Sequence, residues 1–382
     1  MKYLTKFNSL EEYQAYAATF DETNTPNISG IVESTVIYSQ VYIPHDYSQD
    51  YLTIVSLEDN NTIGWKASSS SLLKTISIST DEGTTWTSKE SSTAGTTLAT
   101  LNTGDKLLVK GSNSVYSNSN YYNYFTSTNN FNVEGNIMSI IYENNFVNQT
   151  TLYPAGYNLE YLFNNCTKLV SAENLILPAT TLAIRCYAYM FYNCTSLTTA
   201  PELPATTLAS SCYQYMFSGC TSLTAAPELP ATTLATRCYS SMFNSCTALV
   251  KAPELPATTL ASDCYAGMFA SCTSLVKAPA LPATTLADYC YNSMFYYCTS
   301  LTTAPELPAT TLANYCYFNM FGYCTALDYI KCLATDISAN GCTGGWLDGV
   351  AASGTFIKAT SMSSWTTGTS GIPSDWTVQD AA

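Results

Sequence analysis

The chain has 382 residues, of which 46% are hydrophobic and only 11% charged, against a usual charged share of about 25%. Its length exceeds one ordinary core and sets an expectation of two or three structural units. A net charge of −14, from 14 basic and 28 acidic residues, excludes a nucleic-acid surface built on clustered Lys and Arg. No stretch approaches the run of about 18–20 apolar residues that a membrane insertion needs.

In chain order, residues 1–45 read as an N-terminal attachment segment with a short helix, or as a small packing element. Ser9 with Glu12 is a capping-box signal, and Leu10, Tyr13, Ala17 and Phe20 make a helical stripe. Thr25-Pro26-Asn27 ends it. The opening MKYLTKFNSLEEYQAY lacks the apolar run of a secretory signal. The expectation is a chain kept in the cytoplasm, processed before deposition, or carried outside on an assembly such as a phage particle. His45 is the one histidine and stands beside Asp46. That rules out a His-rich metal site, and any histidine-dependent triad not centred on it.

Residues 46–135 read as strands. YLTIVSL, TIGWKA, KTISIS, TTWTSK and KLLVKG are short β-branched or aromatic runs between Asp, Asn, Gly and Ser turns. The expected architecture is an immunoglobulin-like antiparallel β-sandwich, with residues 112–130 as a Ser/Tyr/Asn-rich loop. FNVEGNIMSIIY, at 131–142, leads onward as a first covering strand.

From residue 136 to 350 the chain is repetitive. LPATTLA begins at Leu177, Leu203, Leu229, Leu255, Leu281 and Leu307, always 26 residues apart. A half-unit precedes these copies at Asn158, Leu159, Leu162, Phe163 and Cys166, and a worn unit follows at Cys342, Trp346 and Leu347. Atypical terminal units are what capping repeats look like. At about 100° per residue, Cys212, Tyr213, Met216, Phe217 and Cys220 fall on one side of a helix. Ser210, Ser211, Gln214, Tyr215, Ser218 and Gly219 fall on the other. The expectation is about three helical turns per unit, preceded by a short strand that two prolines keep short. The fold class is therefore multidomain β plus α/β solenoid: an antiparallel β-sandwich followed by a leucine-rich-repeat solenoid of 26-residue units. Residues 351–382 form its C-terminal cap, with GTFIKA as a closing strand and Trp365 and Trp376 covering the end.

The unit MFxxCTSLTxxPxLPATTLAxxCYxxMF resembles the BspA-type leucine-rich-repeat surface proteins of Bacteroidetes and other host-associated microbes, over residues 152–350. This resemblance implies adhesion to host or microbial surfaces and brings no catalytic residues. The opening segment and the order of parts resemble virion proteins of Bacteroides-infecting and other gut phages. That implies a virion-surface location, with a bacterial cell surface or secretion as the alternative. Residues 79–86, STDEGTTW, resemble the Asp-box hairpin of sialidases. Its work is structural: Asp caps turn amides, Gly takes the positive-φ position and Trp packs beneath. A sialidase also needs an arginine cluster, and this chain has only Arg185 and Arg237.

No C-x-x-C occurs among the 15 cysteines. Stacked helices about 8–10 Å apart would hold equivalent cysteines outside the disulfide range of about 4.4–6.8 Å. Two ladders of buried, reduced thiols are expected.

The variable face carries Arg185, Tyr192, Arg237 and Asp263 besides the candidate ligand-binding residues Tyr189, Tyr215, Tyr289, Tyr296, Tyr297, Tyr315, Phe318 and Tyr323. Tyr among Ser, Gly and Asn is the composition of adaptable recognition surfaces, and also of plain solvated surface. The strand side offers Thr198, Lys251, Lys277 and Asp328. No catalytic residue, metal ligand or cofactor is expected. Two functions stay open. One is a non-enzymatic adhesion or receptor-binding protein that contacts a host-surface protein or glycan, with other virion proteins held through residues 1–135. The other is a structural virion component such as a fibre, collar or capsid decoration protein. Self-association into a homo-oligomer is compatible with either.

Overall fold

The computed structural model describes residues 45–382, and three backbone strands before them. Those strands, β1 (Lys2–Phe7), β2 (Val32–Glu33) and β3 (Val36–Tyr42), form an antiparallel sheet in the order β1-β3-β2. They belong to a compact unit, Met1–Tyr47; Ser48–Ala382 forms a second. The expected helix on Leu10, Tyr13, Ala17 and Phe20 lies outside the described residues.

The second unit begins with strands whose apolar residues alternate, as a half-buried pleat requires. They are β4 (Leu52–Ser56), β5 (Asn61–Ala67), β6 (Thr75–Ser79), β7 (Thr87–Glu90), β8 (Thr96–Leu101), β9 (Lys106–Lys110), β10 (Asn123–Ser127) and β11 (Phe131–Asn136). Leu52 and Ile54 of β4, Ile63 and Trp65 of β5, and Leu107 and Val109 of β9 are buried. One antiparallel sheet runs β10-β5-β8, and in the other the order β11-β4-β9-β6-β7 is antiparallel throughout. The segment 112–130 is only in part the expected loop. It contains β10, and its Tyr116 is fully buried, donating its hydroxyl proton to the Ile140 carbonyl at 2.5 Å. The polar letters misled because they are themselves satisfied inside. Asn123, also fully buried, donates from Nδ2 to the carbonyls of Leu72 and Tyr116.

β11 joins the two halves of this unit. One edge pairs antiparallel with β4; the other pairs parallel with β12 (Leu169–Ser171) and β13 (Leu175–Ile176). Parallel pairing then recurs from one repeat to the next, as Thr181 to Thr207, Ala225 to Lys251, Lys277 to Thr303 and Thr303 to Tyr329. It ends in a parallel sheet of β14 (Tyr329–Cys332), β15 (Thr355–Lys358) and β16 (Thr377–Asp380). The segment expected as a closing strand is β15.

The expected helices are absent from the repeats. The one α-helix among the described residues is Ser139–Tyr142; the remainder is mainly strand and turn. In each unit the Cys-Tyr-x-x-Met-Phe-x-x-Cys stretch is a ribbon of successive turns. Its backbone enters the left-handed region at every fourth residue: Arg185, Tyr189 and Asn193 have φ of 53°, 56° and 55°. Its amides alternate between two partners. Cys186, Ala188 and Met190 donate three residues back, to Ala183, Arg185 and Tyr187. Tyr187, Tyr189 and Phe191 donate to Cys212, Gln214 and Met216 of the next unit, at 2.9–3.0 Å. A helix would keep all of these bonds within itself. The four-residue period explains the misreading. Over nine residues it sorts the same side chains inward as a period of 3.6, so Cys186, Tyr187, Met190, Phe191 and Cys194 are all buried.

Because neighbouring units are hydrogen-bonded, like residues form files. Phe163, Phe191, Phe217, Phe243, Phe269, Phe295 and Phe321 stack with ring centroids 5.4–5.8 Å apart. Phe125 of β10 begins the file, 5.4 Å from Phe163 and 4.8 Å from Trp65. The core of the β-sheets is thereby continuous with that of the repeats. A parallel file from Tyr187 to Tyr317 ends on Trp346 and then Trp365, the last pair 5.5 Å apart. Trp376 is buried and donates from Nε1 to the Ala351 carbonyl at 2.9 Å.

All 15 cysteines are buried and free, but helix-packing distances are not what keeps them apart. Hydrogen-bonded neighbours lie about 4.8 Å apart, not at helix-packing distance. Equivalent Cα atoms therefore fall inside the disulfide range, and direction keeps the thiols apart: in-register Cβ atoms point the same way. The Sγ atoms of Cys194, Cys220, Cys246, Cys272, Cys298 and Cys324 each donate to a Phe carbonyl, at 3.0–3.1 Å.

Candidate functional site

Left-handed positions recur at four-residue steps along the turn ribbons. Positions with φ near 60° favour Gly, Asn and Asp. The three such positions per unit hold Arg185, Tyr189 and Asn193, then Ser211, Tyr215 and Gly219, then Arg237, Ser241 and Ser245. Six of the eight residues expected to bind a ligand occupy them: Tyr189, Tyr215, Tyr289, Tyr297, Tyr315 and Tyr323. Tyr296 and Phe318 do not.

These residues separate into three groups. In the first, Tyr189 and Tyr215 stack at 4.8 Å and 15°. The stack extends back through Tyr161 to Tyr122 of the β-sheet region, at 4.6 and 4.2 Å. The sequence reading missed both of these members, although Tyr161 precedes Tyr189 by the same 28 residues that separate Cys166 from Cys194. In the second group Tyr289 stacks on Tyr315 at 4.8 Å and 9°, and Phe318 meets Tyr315 edge-on at 5.8 Å. Asn340 donates from Nδ2 to the Tyr315 hydroxyl oxygen at 2.8 Å. In the third, Tyr297 stacks on Tyr323 at 4.7 Å and 11°, with Tyr296 edge-on to both. Tyr289, Tyr297 and Tyr323 are 38%, 43% and 41% exposed, so they reach solvent while lying in stacks.

The rings are anchored at their ends. A Cβ added to Gly349 would lie 2.8 Å from the Tyr323 ring, so a glycine there lets the next backbone cover that ring. The hydroxyls of Tyr189 and Tyr296 keep their protons at neutral pH. Burial and the adjoining Tyr215 raise Tyr189 to about 12, and burial raises Tyr296, followed by Tyr297, Tyr323 and Asp348. The patches therefore offer ring faces, ring edges and hydroxyl groups.

The other singled-out residues have local partners. In the Asp-box, Asp81 accepts from the Ser79 hydroxyl, the Thr85 amide and the Thr85 hydroxyl at 2.7, 2.9 and 2.6 Å. Trp86 lies under Lys110, whose Nζ is 4.1 Å from the ring centroid. Arg185 pairs with Glu160, and Arg237 with Asp263. His45 meets Tyr47 edge-on at 4.7 Å. Among the described residues no group of three or more His, Cys, Asp or Glu is placed to hold a metal ion, and no helix is long and apolar enough to cross a membrane.

No family model, curated protein or solved structure matches the chain.

Proposed function

We propose that the 26-residue units wind into one continuous solenoid, fronted by an immunoglobulin-like sandwich made of the two antiparallel sheets. On that scaffold the chain acts as a non-enzymatic, surface-exposed adhesion or receptor-binding protein, carried on a phage virion. It contacts a host-surface protein or glycan through the face that bears the tyrosines, and other virion proteins through residues 1–135. The carrying observation is the set of part-exposed tyrosine stacks at 289–323, held on hydrogen-bonded backbone. Rigid rings with polar tips supply contact area at low entropic cost. The adhesive role implied by the BspA-type resemblance agrees with this.

The same stacks favour a second reading. Ring faces spent on each other stiffen the array, which suits a fibre, collar or capsid decoration protein. Binding of the full chain to a glycan array and to host cells separates the two readings. Under the first, replacing Tyr289, Tyr297 and Tyr323 together by Ala abolishes binding while the circular dichroism spectrum is kept. Retained binding in that variant sinks the tyrosine-face reading. Absence of host binding, with tight attachment to particles, establishes the structural one.

A further inference from the structure

On the proline side of the repeats, grooves run between successive units. One lies among Pro201, Pro204, Pro227 and Pro230, is edged by Glu202 and Glu228, and encloses 330 Å³. A second, at residues 276–308, encloses 690 Å³, within the range of about 300–1,000 Å³ typical of small-molecule sites. The larger groove coincides with a departure from the repeat. Ala280 stands where Glu202, Glu228, Glu254 and Glu306 stand in the other APELP segments, and it lines the groove.

The groove is apolar with one cationic rim. Leu281 and Ala304 are buried against it, and Pro282, Pro305 and Pro308 line it. Lys277 is at the rim beside Val276, which is 57% exposed. Lys251 occupies the equivalent position one unit earlier. Neither lysine forms an ion pair among the described residues. The groove's acidic residue, Glu306, is already held by Lys331 at 3.0 Å. In a chain of net charge −14, a lysine without an ion-pair partner at the rim of an apolar trough forms a local anion-attracting site. Loss of the glutamate at 280 removes the charge that would oppose it.

We propose that this groove binds a small amphiphilic carboxylate, its hydrocarbon body against Leu281, Pro282, Ala304 and Pro305 and its carboxylate at Lys277. The site lies on the proline side of the repeats and does not depend on the tyrosine reading.

Titration calorimetry of the full chain with submicellar decanoate, decanol and decyltrimethylammonium tests the assignment. Decanoate is expected to bind saturably and more tightly than either other probe. Lys277→Ala is expected to weaken decanoate roughly tenfold, as the loss of one charge-assisted contact does. Ala280→Glu, which restores the residue the repeat itself carries and so leaves folding intact, is expected to abolish binding. No saturable uptake of decanoate, equal binding of decyltrimethylammonium, or unchanged decanoate binding in both variants overturns the proposal.

Discussion

Arg185 holds the fully buried carboxylate of Glu160 with two nitrogens, Nε at 2.8 Å and Nη2 at 2.6 Å. The second carboxylate oxygen accepts from Ser117 in the β-sheet region, and the guanidinium lies over Tyr157 and Tyr189. This junction ties the sheets to the first units of the repeat. Burial pushes Glu160 above the usual carboxylate range, against the pull of Ser117 and Arg185. A raised folded-state value means that the stability contributed by this group is fully present below its unfolded value. It is lost as pH rises through the folded one.

The consequence is a pH-dependent mutational cost. Arg185→Ala leaves a buried carboxylate without its cation, which costs about 3–5 kcal/mol when the group is ionised. The loss of that pull raises Glu160 further. The destabilisation is therefore expected to be greatest at pH 7.5 and to shrink as pH falls and the carboxyl is protonated. Urea midpoints of both proteins at pH 7.5 and pH 4 check this. A cost that is independent of pH would mean that Arg185 acts through packing alone.

The left-handed positions give a sign test of the turn ribbon. Ser245 has φ 61° and its amide donates to Ala270 of the next unit at 2.7 Å. Ser245→Gly keeps that bond and relieves a left-handed cost of about 1–2 kcal/mol. In a helix the same change would destabilise, since Gly there costs up to about 1 kcal/mol relative to Ala. The glycine variant is expected to melt higher than the parent and Ser245→Val lower. A lower melting temperature for Ser245→Gly refutes the geometry.

The thiol files predict silent cysteines. Burial raises Cys186 and Cys238 to about 12, and the thiolate is the reactive form. At pH 8 the native protein is expected to react negligibly with a disulfide reagent. In denaturant all 15 cysteines should titrate. Fewer than that number in denaturant reveals disulfides, and rapid native reaction reveals open packing.

Much of this was legible in the letters. The 26-residue period, the inward Cys, Tyr, Met and Phe, and the strands at 52–56, 61–67, 75–79 and 106–110 follow from spacing alone. The conformation of the ribbon did not, because periods of 4 and 3.6 part company only over longer runs. One signal was available. Gly341, Gly345 and Gly349 follow one another at four-residue steps in the worn last unit, and all have positive φ. Equivalent positions in the six earlier full units hold Tyr six times and Gly only twice, and so disguise the rule. The eight candidate residues were correctly placed near the surface, but their stacking could not be read without knowing that units lie at hydrogen-bonding distance. β8, with Thr at three of its six positions, was too polar to stand out.

The Asp-box gives the last prediction. Asp81 is held low, at about 2, first by the Ser79 hydroxyl and then by the hydroxyl and amide of Thr85. A depressed folded-state value means that its contribution is present above the unfolded carboxylate value. It is lost as pH falls through the folded one. The turn between β6 and β7 should therefore stay closed from neutral pH down through the ordinary carboxylate range and loosen only as pH approaches about 2. Asp81→Ala removes the acceptor of the Thr85 amide at every pH. It leaves the β6–β7 ladder, from Ile78–Thr87 to Thr75–Glu90, in place. Hydrogen exchange at Thr85 is expected to accelerate in the variant by at least tenfold, while Ser77 and Lys89, inside that ladder, stay protected. Loss of protection across both strands would show that the carboxylate supports the whole sheet edge and not the turn alone.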